Sequence, residues 1–249
     1  MPTETRSRVE RPELDLPPPY SLVTLREVGD AFAHAKSIAA EAGAGTLVYV
    51  GRFDLAEFAV VLEPDEPLKE ARRAFYAGMH ALAEALTFHA PPEKLVHFDW
   101  PDGIRIDGGL IGGGRLGWPA GTPEDEPPAW LVFGAMIRTV QMAAGEPGLR
   151  PLESALEDEG FDDVSSGRLV ESFARHLMFV MDAWQEEGFN AVAKGYLQRL
   201  TPESGVSRQI DPQGNLIVRR VGKAETQRRA LVPALEVPSW LDPQTGGPR

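Results

Sequence analysis

The stretch "HFDWPDGIRIDGGLIGGGRLGWP", residues 97–119, decides how the rest of this chain is read. It sets Asp99, Asp102, Asp107, Arg105 and Arg115 among two tryptophans and the run Gly112-Gly113-Gly114. "DGG" between two apolar-alternating runs predicts a hairpin. Three glycines in a strand let a second backbone or a flat ligand approach closely. Their exposed N–H groups suit carboxylate or phosphate oxygens, and Arg115 adds a fixed cation. The same glycines equally describe a β-bulge or a bend at a sheet edge. The run is not a Walker loop, since no Gly-Lys-Ser/Thr follows, and it does not open a helix as a dinucleotide fingerprint does.

Outward from this stretch, residues 21–28, 45–51, 57–64 and 129–140 are apolar, with β-branched and aromatic side chains, and read as strands. Residues 30–43 read as a helix, with Asp30 at its N-cap and Gly43 as its stop. Residues 65–90 read as one long amphipathic helix with Pro67 in its first turn. A short helix is expected over 152–160, and longer ones over 166–188 and 189–200. Residues 119–128 and "GEPGLRP" (145–151) read as loops. The order predicts an α+β sandwich with antiparallel hairpins, not a doubly wound parallel sheet. Residues 1–19, ending in "LPPPY", read as a flexible arm, residues 20–200 as the main domain, and 201–249 as a small β-rich module with a tail. The module holds a hairpin around "DPQGN".

The chain has 249 residues and a formal net charge of −12. Such acidity repels phosphate backbones, so no nucleic-acid partner is expected. The one basic run, "RRVGKAETQRR" (219–229), reads as a solvated ribbon. No run approaches the roughly eighteen apolar residues of a membrane span, and the polar, proline-rich start is unlike a signal peptide. With no cysteine, disulfides, thiolate metal sites and cysteine nucleophiles are excluded. The expectation is a cytoplasmic protein. The five histidines have no metal-like spacing, so no metal site is expected. There is no Gly-x-Ser-x-Gly elbow.

The opening stretch resembles the segment of biotin protein ligases and lipoate ligases written K-W-P-N-D, followed by a strand, a turn and a small-residue strand. Trp100-Pro101-Asp102 match the tryptophan, proline and polar positions, and Gly112-Gly113 fall at the small residues. "EAGAGTLVYV", "FAVVLEPDEPLKEARRAFYAGMHALAEAL", "WLVFGAMIR" and "WQEEGFNAVAKGYLQRL" resemble other family segments in family order. The resemblance covers about residues 20–200 and implies a biotin/lipoate ligase-like mixed sheet, with the C-terminal module where biotin ligases carry an SH3-like domain. It implies ATP and Mg²⁺, biotin or lipoate as substrate, an acyl-adenylate intermediate, and transfer to a lysine of a biotinyl or lipoyl carrier domain.

Several positions depart from the family. Asp99 stands where the lysine precedes Trp-Pro, and Leu110 where lipoate ligases keep a lysine. Met136 and Arg138 stand at the second glycine and the asparagine of the G-x-G-x-N strand. The arginine- and glycine-rich loop is reduced to "GRFDLAE", with Arg52 as its remnant. Octanoyltransferases of this fold use a cysteine. The candidate catalytic residues are therefore Asp99, Arg115 and Arg138. The candidate ligand-binding residues are Arg52, Trp100, Asp102, Arg105, Gly112, Gly113 and Gly114. Two functions follow: a divergent ligase or acyltransferase, or a non-catalytic binding protein for a small carboxylic acid or a carrier domain. A role as a structural partner, through the tail "VPSWLDPQTGGPR", is a third.

Overall fold

The structure, a computed structural model, describes residues 14–26, 29–142 and 152–249. The loop expected at 145–151, most of the N-terminal arm and the last two residues of the first expected strand lie outside them. A seven-stranded sheet in the order β1-β2-β3-β7-β6-β5-β4 organises the main domain. Its strands are β1 (Ser21–Leu25), β2 (Thr46–Gly51), β3 (Leu55–Leu62), β4 (Val96–Asp99), β5 (Gly103–Ile106), β6 (Gly109–Gly117) and β7 (Leu131–Arg138). Only β1 and β2 pair in parallel, because α1 (Ala31–Ala42) connects them, while the pairs from β2 to β4 are antiparallel.

Side chains alternate between the two faces of a strand. On the inner face Phe58, Val60, Phe133, Ala135 and Ile137 join the main core. They meet α3 (Ala74–His89) and α4 (Ser166–Glu187), on which α5 (Phe189–Gln198) also packs. On the outer face α1 covers Val48, Val50, Ala59, Val61 and Val132 in a separate cluster. Among the described residues, the other half of that face carries no regular element. It is closed by the C-terminal segment, whose Trp240 packs with Leu55, Leu110 and Met136.

The helix expected over 65–90 is broken. A single turn, α2 (Leu68–Ala71), stops at Arg72 and Arg73, and α3 starts again at Ala74. Arg72 and Arg73 keep right-handed helical angles, but the backbone bonds tighten to Phe75 N donating to Arg72 O and Tyr76 N to Arg73 O; the Arg72 side chain pairs with Glu124, Nη2 to Oε1 at 2.6 Å, and lies over the Trp118 ring. The 152–160 segment forms turns, not a helix: Ser154 N donates to Leu110 O and Leu156 N to Arg138 O, which binds the backbone along the sheet edge. The small module holds three antiparallel strands, β8 (Val206–Ile210), β9 (Leu216–Arg220) and β10 (Thr226–Arg229), then α6 (Leu231–Glu236). The third strand falls in sequence read as a ribbon, and α6 precedes the stretch 237–249 read as the tail. Tyr76 Oη on α3 donates to Gly214 O at 2.6 Å, seating the module's turn on the main domain. Residues 14–19 lie along α4, with Leu14 and Leu16 against the core and Asp15 paired to Arg175 at 2.6 Å.

Candidate functional site

The predicted hairpin forms as β5 and β6, joined at Asp107 and Gly108, both with positive φ. The register slips between Ile104 and Arg105, so the bulge expected of the glycines is present beside them. The glycines also hold the close approaches they predicted. A Cβ on Gly113 would stand 2.0 Å from Asp102 O and 2.3 Å from Trp240 Cδ1. Gly113 points to the outer face, while Gly114 points inward at Met79 and Phe133. Gly112, at φ 148°, passes against the backbone of Met136.

The occupant of this glycine floor belongs to the chain itself. The Trp240 indole is fully buried on it, and Nε1 donates to Gly114 O at 3.1 Å. The preceding residue fixes Asp102: Ser239 N donates to Oδ2 at 2.9 Å and Ser239 Oγ to Oδ1 at 2.6 Å. Asp102 is fully buried, and burial pushes its carboxyl above the usual range against the pull of those two bonds. Arg138 closes the far end, donating to Ser154 O at 3.1 Å, Pro248 O at 2.7 Å and Arg249 O at 2.9 Å. Arg138 and Arg52 line one cleft of about 220 Å³ with Leu55 and Gly246-Gly247. Arg52 pairs there with Asp54 at 2.7 Å, which holds the Asp54 carboxyl below its usual range.

Between α1 and the C-terminal segment lies a narrow seam holding Glu57 and Arg115. Glu57 is 2% exposed, and its Oε1 accepts from Ala31 N at the start of α1 at 2.8 Å. Burial raises its carboxyl above the usual range. Arg115 Nη2 donates to Asp30 Oδ1 at 3.1 Å, and its guanidinium lies over Phe32. Its Nε is buried with no hydrogen-bond partner.

The ten candidates do not all converge. Asp102, Gly113, Gly114 and Arg138 meet around the C-terminal segment, with Arg52 at its end and Arg115 in the adjoining seam. Asp99 and Arg105 form a pair at 2.6 Å on the outer strands. Trp100, after a cis bond to Pro101, donates from Nε1 to Tyr76 Oη and lines another cleft with Asp99, against the small module. Sequence reasoning missed Glu57, Ser239 and Trp240. The available signal was Trp240 itself, a large apolar ring in a proline- and glycine-rich tail.

The donor set does not fit a protein-held magnesium ion. Asp54, Asp99, Asp102 and Glu57 each have a partner, and no cluster of three or more metal-binding side chains occurs among the described residues.

The outer sheet face is thus half covered by α1 and half closed by the C-terminal segment. The chain belongs to the biotin/lipoate A/B protein ligase family, which it matches over residues 16–198. A biotin protein ligase-like protein of unknown function from a Silicibacter species is similar, at 27% identity and TM-score 0.76, over 90% of this chain and 99% of that one. Biotin protein ligase from Aquifex aeolicus, in complex with biotin and ATP, shares the fold with TM-score 0.61 and 13% identity, over 84% of this chain and 98% of that one. The Leishmania major biotin protein ligase, in complex with biotin, has TM-score 0.54 and 16% identity, over 86% and 99%. No curated protein matches the chain. No helix among the described residues is long and apolar enough to cross a membrane.

Proposed function

We propose that this chain binds a biotin- or lipoate-like carboxylic acid on the half of the outer sheet face that α1 leaves uncovered and the C-terminal segment closes. The observation that carries this reading is the partnerless Nε–H of Arg115, in a seam beside an apolar, glycine-floored recess. A buried donor without a partner costs about 1–3 kcal/mol, and a ligand carboxylate is the acceptor that arginine geometry suits. The recess walls, Leu55, Leu110 and Met136, suit the ring of such an acid, and the main-chain oxygen of Gly114 offers an acceptor to a ring N–H. Arg52 and Arg138 add positive charge at the far end.

The family's reaction is the second reading: activation by ATP and transfer of the acyl group to a carrier-domain lysine. The family match and the likeness to a ligase in complex with ATP favour it. The charge at position 99 opposes it, since an aspartate replaces a lysine and opposite signs at a phosphate differ by a few kcal/mol in a partly buried site, on the order of 4 for each unit pair at 4 Å. The two readings separate in one pair of measurements. Calorimetry should detect lipoate or biotin binding without nucleotide, while ATP–pyrophosphate exchange with either acid stays at background. Exchange above background would establish the ligase. Absence of binding by any short or medium-chain acid would remove the acid-binding reading. Asp99→Lys is expected to raise ATP affinity, read as a thermal shift; an unchanged shift would show that this position does not face a nucleotide.

A further inference from the structure

The C-terminal segment is built like a ligand. Trp240 offers a planar fused bicycle with one N–H, which finds Gly114 O, and Ser239 offers two donors to a buried carboxylate. The ring lies on the floor that Gly113 leaves bare. At its end Arg138 donates to Pro248 O and Arg249 O, while between these anchors Asp242, Gln244 and Thr245 are exposed or partly exposed and bond chiefly to one another. Upstream, α6 is fixed separately by buried Leu231 and Leu235 and by Leu231 N donating to Asn215 Oδ1. Between the two anchors lies Val237, 74% exposed. The anchors of residues 238–249 on the main domain are thus separate from those that hold α6 and the small module.

We propose that the recess beneath Trp240 is the ring-binding end of the acid site, and that residues 238–249 occupy it as a displaceable internal surrogate. This rests on the acid-binding reading above and adds its regulation. The ligand class is a compact ring on a carboxylate-bearing chain; a ring N–H, which biotin has and lipoate lacks, would take the place of Trp240 Nε1 at Gly114 O. Ring and strap compete for one floor, so the acid binds only the fraction of molecules with the strap displaced, and its apparent affinity is lowered by that fraction. Asp102 changes partners in the exchange: it loses the Ser239 donors and turns to water or to a donor of the ligand.

The test compares the full chain with Trp240→Ala and Ser239→Ala, using biotin and lipoate as probes. Circular dichroism confirms folding, and Ser239→Ala, which removes one hydroxyl, carries the comparison if Trp240→Ala does not fold. The strap variants should bind an acid about tenfold more tightly or better. In the full chain the acid should speed hydrogen exchange at the amides of Leu241 and Arg249, which donate to Pro238 O and Trp240 O. Folded variants with unchanged affinity and no acid-dependent exchange would overturn the strap while leaving the acid-binding reading intact. Failure of every form to bind an acid removes both. Exchange of those two amides only as slowly as the β3 amides, with or without acid, would show the segment to be permanent core and overturn the proposal on its own.

Discussion

Gly113 shows how one absent side chain shapes the outer face. It admits both the carbonyl of Asp102 and the indole of Trp240, so Gly113→Ala must displace backbone or ring. Overpacking of this kind costs about 1–3 kcal/mol, and urea denaturation of the alanine variant should lose that much. Asp102 gives a pH-dependent prediction. Its folded-state pKa is raised above the ordinary 3.8 by burial, so the folded chain holds the proton more tightly than the unfolded one. The stability linked to it is fully present below the unfolded value and is lost as pH rises through the raised one. Glu57 carries a slope of the same sign. The measurement is therefore a difference: Asp102→Asn should flatten part of the fall in stability from about pH 4 upward, and an identical profile in the two proteins would refute it. Asp99, the neighbouring charge that pushes in the same direction, is unchanged between them.

Among the elements, α1 links local capping to the seam. Asp30 accepts from Phe32 N and Ala33 N and also holds Arg115. Asp30→Ala should cost about 1 kcal/mol for the cap. A double-mutant cycle with Arg115→Ala should show coupling between the two, and strict additivity would show that the ion pair contributes nothing. The elements legible in the sequence were those with a strong local rule: the Asp30 cap, the Asp107-Gly108 turn, the apolar runs of β3 and β7. The break at Arg72 was not legible, because amphipathic periodicity continues through it and the residues there keep helical angles, with only the backbone bonds tightening. The 152–160 turns were misread for a similar reason: their backbone bonds go to Leu110 and Arg138, across the fold. At the site, composition pointed to the glycine floor, and the family resemblance to Asp102. It could not show that their partners lie in the tail, since no local pattern encodes a contact 137 residues away in sequence.

Taken as a whole, the molecule divides its outer face between a helix made early in the chain and a strap made late. The family resemblance foretold the sheet and the position of the small module, because those depend on the order of apolar segments. It did not foretell the strap. Charge is also divided: the chain carries −12 overall, while the module strands carry Arg208, Arg219, Arg220, Arg228 and Arg229. Glu203 pairs with both Arg208 and Arg220, which holds its carboxyl below the usual range. Glu203→Gln should leave those arginines facing one another. Exposed pairs contribute little, so the expected change is a small loss of stability that vanishes in high salt. A loss that survives high salt would mean the pairs matter through packing.

The strap's anchors have a consequence for the order of folding. The seven-stranded sheet is complete at Arg138, and contacts as distant in sequence as Ser239 to Asp102 close large loops for few bonds. Such contacts form after the main barrier. Removing the Trp240 ring should therefore leave the refolding arm of a chevron plot where it was, and place any loss of stability in the unfolding arm. During synthesis the floor at Gly113 stands open until residues 238–249 have been made.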